Sequence, residues 1–186
     1  MRIFLAVFPP LATRKLAATV IEKLRRPGDH VSWVAPENLH FTLRFIGEVG
    51  DDGLRCIEEA AREAAAAHRA FGVALGPPGA FPTAKRARVL WLGLQQGTEP
   101  FVRLAGSLED ALAKRGWEPE SRDFSAHLTL GRVREPGFDW TPALTRIVAP
   151  EGPDARFAVE AIDVVESQLS RGGSIYTVRS RAPLAT

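Results

Sequence analysis

The 186-residue chain is short of several things that would announce a protein class. Its one cysteine, Cys56, rules out an internal disulfide and a cysteine-based zinc site. No apolar run approaches the roughly 18 residues that span a bilayer. The opening MRIFLAVFPP is apolar, but it is brief and stops at two prolines, so it reads as a first core strand rather than a leader peptide. A soluble, cytoplasmic protein is the expectation. Excess charge is missing too: at +2, net charge does not mark a nucleic-acid binder. Lysine occurs only at 15, 23, 85 and 114, so twenty of the twenty-four basic residues are arginine. Arginine's planar fork suits phosphate, but a bias spread along the whole chain is a compositional habit. Only arginines beside other site residues carry weight. Neither a Gly-x-x-x-x-Gly-Lys-Ser/Thr loop nor a Gly-x-Gly-x-x-Gly fingerprint occurs, so nothing indicates ATP hydrolysis or dinucleotide binding. His-x-His and His-Glu-x-x-His spacings are also missing, and with them the ground for expecting a metal or any other cofactor.

What is present suffices for one domain over 1–186, with 45% hydrophobic and 25% charged residues. Ile3–Phe8 reads as a buried strand. Leu11–Leu24 carries Leu16, Val20 and Leu24 on one helical face and ends before Pro27-Gly28. Short strands are expected at 31–34 and 39–46, then an alanine-rich helix over 51–68 with acidic residues at its start. A strand at 71–75, a Gly-Pro loop at 76–82 and a strand at 88–94 follow. A helix over 100–115, a strand at 126–132, a short helix at 142–148, and strands at 158–166 and 174–179 complete the pattern. No linker separates independent domains. The expected architecture is α+β, with two related lobes, and the lack of a coiled-coil pattern points to a monomer.

Histidine is as scarce as lysine, yet two of the four occur in matching frames: His40-Phe41-Thr42-Leu43 and His127-Leu128-Thr129-Leu130. On a strand, alternate side chains share a face. His40, Thr42 and Arg44 then oppose Leu39, Phe41, Leu43 and Phe45, and His127 and Thr129 oppose Leu128 and Leu130. Each strand would anchor one face in a core and offer an imidazole and a hydroxyl on the other. Two imidazoles with an unperturbed pKa of about 6.5 can divide base and acid work. Two hydroxyls can donate to the oxygens of an anion. In-line displacement at phosphorus needs this set, and a cyclic phosphodiester fits it well. Strict alternation turns Arg132 away from His127, so a role for it beside phosphate requires a bulge.

These motifs resemble the two-histidine (2H) phosphoesterase superfamily, and more closely the bacterial and archaeal RNA 2′,3′-cyclic phosphodiesterases, historically called 2′-5′ RNA ligases. The likeness runs nearly end to end. It covers MRIFLAVFPP, the stretch from Trp33 to Val49, RVLWLG from Arg88, RDFSAHLTLGRV from Arg122, and ESQL at 166–169 with Tyr176 beyond. Two departures stand out: Ala126 precedes the second histidine where proline is usual, and Arg44 stands where lysine is common. The resemblance implies two pseudo-symmetric lobes of antiparallel sheet, flanked by helices, around a central cleft. It implies metal-independent hydrolysis of RNA 2′,3′-cyclic phosphate ends to 2′-phosphomonoesters, with ATP-independent 2′-5′ joining as the reverse reaction. His40 would be the acid at the 3′ oxygen and His127 the base on water. Thr42 and Thr129 would hold phosphate oxygens, helped by Arg44 and Arg132.

Phe124 and Tyr176 are candidates for base stacking. Phe41 faces the core by alternation, the four tryptophans read as core or cleft wall, and His30 as a turn residue. Small cyclic nucleotides or linear 2′-5′ oligonucleotides are alternative substrates. An RNA-end-binding module with little catalysis is the alternative from another class.

Overall fold

The computed structural model describes residues 1–135 and 137–186. Among them the order is β1 (Arg2–Val7), α1 (Leu11–Leu24), β2 (Val31–Trp33), β3 (Phe41–Glu48), α2 (Asp51–Ala66), β4 (Phe71–Phe81), β5 (Val89–Gln96), α3 (Thr98–Ala113), β6 (Leu128–Val133), α4 (Thr141–Thr145), β7 (Arg156–Val159), β8 (Ala161–Ser170) and β9 (Gly173–Pro183). The helices begin and end for local reasons. Pro10 precedes α1, and an extended Arg25 stops it. Asp51 and Asp52 lie in the first turn of α2, where they complement the helix dipole. Gly97, at φ 87°, turns the chain into α3. A Cβ there would lie 2.5 Å from Val73 and 2.6 Å from the Gly72 carbonyl, so glycine is required twice over.

The strands form one antiparallel sheet in the order β7-β4-β5-β6-β3-β1-β8-β9, with β2 pairing on β6. It divides about its middle into two four-stranded lobes, β3-β1-β8-β9 and β6-β5-β4-β7. The motif strands are the innermost member of each. One lobe, β4 to β7, is a continuous stretch of the sequence inserted into the other, because β8 and β9 complete the lobe that β1 and β3 began. One stretch expected as a single strand, 158–166, is therefore two. β7 pairs with β4 at one edge of the sheet, and after Glu160 the chain crosses to pair β8 with β1. The expected Gly-Pro loop at 76–82 is likewise corrected. β4 runs unbroken to Phe81, and the ladder with β5 skips Gly76 and Pro77, so a residue lacking an N–H sits where no bond is needed.

Helices cover one face of the sheet. Val20, Ile21 and Leu24 of α1, Leu54, Ile57 and Ala61 of α2, and Phe101, Leu104 and Leu108 of α3 join one core with Ile3, Leu5 and Val7. Phe41 and Leu128 belong to this core, as alternation predicts. Phe4 and Ala6 point the other way and form a small second cluster with Val165, Phe8 and Tyr176. The histidines lie on that second face.

Candidate active site

β3 and β6 touch through a single pair, Phe41 opposite Leu128, and then diverge. Both bridging residues point into the helical core, so their neighbours point out. The antiparallel register about the bridge sets His40 across from Thr129 and Thr42 across from His127. Beyond it β3 follows β1 and β6 follows β5. The gap between them is a cleft of about 860 Å³ lined by Thr42, His127, Thr129 and Arg132, with Val102 and Ala105 of α3 forming one wall.

The two half-sites repeat each other in detail. His40 Nδ1 lies 2.7 Å from the Asn38 carbonyl, and His127 Nδ1 lies 2.7 Å from the Ser125 carbonyl. A carbonyl only accepts, so each ring carries its proton on Nδ1 and presents Nε2 as the free nitrogen. Each imidazole meets an aromatic edge. Tyr176 sits 5.3 Å from His40, and Phe81 sits 5.1 Å from His127. Phe4 and Phe8 complete the wall around His40, at 4.9 and 5.3 Å. Burial pushes the His40 pKa down to about 4, more than its bond to Asn38 raises it, and the nearby Arg132 and His127 add to the fall. His127 is lowered as well, first by burial and then by Arg132.

Both motif strands also bulge at the same place. β1 pairs Ala6 with Thr42 and Leu5 with Arg44, leaving Leu43 without an opposite number. β5 pairs Trp91 with Thr129 and Leu90 with Gly131, leaving Leu130 so. Each bulge falls three residues after its histidine and inverts the alternation beyond it. That corrects two expectations. Arg44 turns off the histidine face: Nη1 reaches Glu109 at 3.1 and 3.2 Å, and Nη2 donates to the Glu118 carbonyl at 2.5 Å. It ties β3 to α3. Phe45, expected in the core, is 56% exposed at the cleft, where it packs 6.0 Å from Phe4. The same geometry supplies the bulge that Arg132 required, bringing it onto the histidine face with no carboxylate in ion-pair range among the described residues.

Phe124 lines the cleft, but its ring is stacked on Phe101 at 5.8 Å, so one face is already taken. Arg88 and Arg122 line the cleft mouth. Trp140 is fully buried and Trp91 packs on Phe81 at 5.0 Å. His30 adopts φ 47°, which suits a turn. Sequence reasoning missed Phe4, Phe8, Phe81 and Phe45. Only pairing across strands distant in the chain brings the first three to the histidines, and no local pattern encodes it. Among the described residues no group of three histidine, cysteine or acidic side chains gathers as a metal cluster.

Two histidines and two threonines, mirrored about the bridge between two strands, form the candidate site, and the fold that carries them is that of a two-histidine phosphoesterase. Comparison with known proteins agrees. The family profile of the 2′-5′ RNA ligase superfamily matches residues 10–171, and the chain belongs to that family. A protein of Archaeoglobus fulgidus called RNA 2′,3′-cyclic phosphodiesterase is 35% identical over 95% of this chain and 96% of its own. One of the same name from Methanothermobacter thermautotrophicus is 39% identical over 73% of each. Among solved structures, the Escherichia coli protein LigT complexed with 3′-AMP superposes with a TM-score of 0.81 at 28% identity, covering 100% of this chain and 98% of its own. A Thermus thermophilus protein superposes with a TM-score of 0.84, also at 28% identity, over 99% and 98%.

Proposed function

We propose that this chain hydrolyses RNA 2′,3′-cyclic phosphate ends to 2′-phosphomonoesters by two-histidine acid–base catalysis, without a metal. The observation that carries the reading is the mirrored pair of half-sites. Two imidazoles, each with Nδ1 occupied by a backbone carbonyl, have Nε2 left for substrate. Relatives of the same name along nearly the whole chain support it.

In the reaction, His127 Nε2 takes a proton from water as the water oxygen bonds to phosphorus. The bond from phosphorus to the 3′ oxygen breaks, and His40 delivers the proton that oxygen needs. Thr42 and Thr129 donate to the non-bridging oxygens, and Arg132 meets their charge. Arg44 is left out of phosphate binding, since Glu109 and the backbone at 118 hold its donors. For His40 to act as the acid it must first gain a proton, and the bound phosphate anion offsets the burial and the cations that depress it. With a 5′-hydroxyl in place of water, the same course forms a 2′-5′ bond: His127 takes the hydroxyl proton, the bond to the 3′ oxygen breaks with relief of ring strain, and no ATP is needed.

Both half-sites come from one chain, which supports a single domain over 1–186 working as a monomer. No helix among the described residues is long and apolar enough to cross a membrane, and a cytoplasmic place beside RNA fits the proposed substrate.

The test is hydrolysis of a short RNA ending in a 2′,3′-cyclic phosphate, in excess EDTA, with the product position resolved. Expected is turnover to the 2′-phosphate, falling by a factor of roughly 100 to 10,000 in His40→Ala and in His127→Ala while RNA binding survives. A 3′-phosphate product would reverse the assigned leaving oxygen. No turnover by folded protein would leave small cyclic nucleotides, or a binding role.

A further inference from the structure

His40 has a second side. A separate cavity of about 540 Å³ opens beyond it, bounded by Phe8, Asn38, Tyr176, Arg14, Asp163 and Arg181. It shares its wall with the active site, because Phe8 and Tyr176 both touch His40 and Asn38 holds its Nδ1. Strand pairing places it on the catalytic face. Thr42 pairs with Ala6, Ala6 with Asp163, and Asp163 with Arg181, so one cross-strand row leads from the phosphate-holding threonine to the cavity. Thr42 and Asp163 are two strand spacings apart, about 10 Å. That is the reach of a nucleoside from its ribose phosphate to the hydrogen-bonding edge of its base. Between them stands Ala6, fully buried beneath Phe8 and Tyr176, so these two rings form the surface between the threonine and the cavity.

The other lobe is built differently at the equivalent place. There Thr129 pairs with Trp91 and Trp91 with Gly79, so tryptophan occupies the place of Ala6. Its ring lies so close over the strand that a Cβ on Gly79 would come within 2.3 Å of it. The halves are alike in their catalytic groups and unlike beside them. The cavity with the buried carboxylate lies on the His40 side, and His40 is the side assigned to the 3′ oxygen of the cyclic nucleotide.

Asp163 gives the cavity a preference. Its residue is 3% exposed, yet its carboxylate lines the cavity, and its one hydrogen-bond partner among the described residues is Arg181 at 3.5 Å. A carboxylate so buried and so thinly bonded lacks donors. Guanine alone among the four bases offers two adjacent N–H groups, N1–H and the N2 amino, followed by an acceptor, O6. The carboxylate matches the two donors, and Arg181 beside it can donate to O6. Uracil would set its two carbonyls against Asp163. Phe8 and Tyr176 supply aromatic walls of the kind that hold unstacked bases in single-stranded RNA.

We propose that this cavity binds the base of the cyclic-phosphate-bearing nucleotide and that Asp163 makes it select guanine. The proposal rests on the reaction proposed above and adds its base preference. It is tested with four short RNAs differing only in the base of the terminal cyclic nucleotide. Guanosine ends should exceed uridine ends in kcat/KM about tenfold or more, the scale of one good bidentate pair. Asp163→Asn should bring that ratio close to one. For wild-type protein, and so independently of whether the variant folds, a 1-methylguanosine end should drop to the uridine level. Wild-type indifference to the base would overturn the proposal, as would a parallel loss on all four ends in Asp163→Asn. If no cyclic end is turned over, the proposed reaction fails, and calorimetry with guanosine and uridine 2′-monophosphates decides the subsite separately. A guanosine preference that Asp163→Asn removes sustains it, and equal affinities overturn it.

Discussion

At the scale of single residues, the histidines behave as a buried pair under the influence of one cation. Burial and Arg132 hold both below their ordinary 6.5, so at neutral pH the rings of the free protein are mainly neutral, without a second proton on Nε2. Acid–base catalysis requires one. Because kcat/KM follows the free enzyme, it should peak on the acid side of 6.5 and fall as pH rises through neutrality. Arg132→Gln removes a charge that depresses both rings, so the peak should move to higher pH as phosphate binding weakens. A profile that stays in place would show that Arg132 does not set these pKa values. His40 also links pH to stability. Its folded pKa of about 4 lies below its unfolded value, so the unfolded chain takes the proton first as pH falls. Stability is complete above pH 6.5 and declines towards pH 4, by about 3 kcal/mol for this one group. Urea titrations at pH 7 and 4.5 should show a smaller decline in His40→Gln than in wild type.

At the scale of elements, the bulges at Leu43 and Leu130 decide which side chains reach substrate. Each adds one residue that β1 or β5 does not match, and the residues next beyond it change face, until on β3 a second shift at Ile46 restores the alternation. Gly131 shows how tightly the second bulge is packed: a Cβ there would lie 2.7 Å from Val31 and 2.8 Å from the Trp33 ring. Gly131→Ala should cost about 1–3 kcal/mol by overpacking, and should raise KM by displacing Arg132. On β3 the matching position is Arg44, 11% exposed in its side chain and paired with Glu109 at 26%. Arg44→Met should lower unfolding free energy by about 2 kcal/mol or more, since it strands a half-buried carboxylate. Equilibrium denaturation measures it, and an unchanged midpoint would remove Arg44 from the structural role given to it here.

At the scale of the whole molecule, one lobe is inserted into the other. The chain lays down β1 and β3, builds the other lobe, then returns through β8 and β9. Helices from the first and middle parts of the sequence share one core beneath both. The common core ties the inserted lobe, β4 to β7, to the lobe that surrounds it in the chain, so the two should unfold together. Tryptophan fluorescence and far-ultraviolet circular dichroism should give coincident transitions in urea. Two separated transitions would mean that the lobes are independent units. The two half-sites differ one strand out from where they meet. Symmetry governs the strands that meet at Phe41 and Leu128, whereas Ala6 and Trp91 lie one strand out, free to differ.

Much of this protein was legible along the chain. Periodicity marked α1 to the residue, and the repeated His-x-Thr frame marked four residues that the fold brings together, because alternation over two positions is a local property of a strand. The core faces of Phe41 and Leu128 followed from the same rule. It held for as long as the ladder did and broke at the first bulge, which is why Arg44 and Phe45 exchanged faces and Arg132 came into place. A bulge depends on the register of a neighbouring strand, and that neighbour, β1 or β5, lies tens of residues away. The aromatic wall of Phe4, Phe8 and Tyr176, the division of 158–166 into two strands, and the row from Thr42 to Asp163 are long-range pairings of the same kind. Sequence alone determined the chemistry this protein carries, since imidazole and hydroxyl are properties of residues. Which of its residues face one another across the cleft was decided by tertiary structure, since hydrogen-bond register is a property of strands brought together.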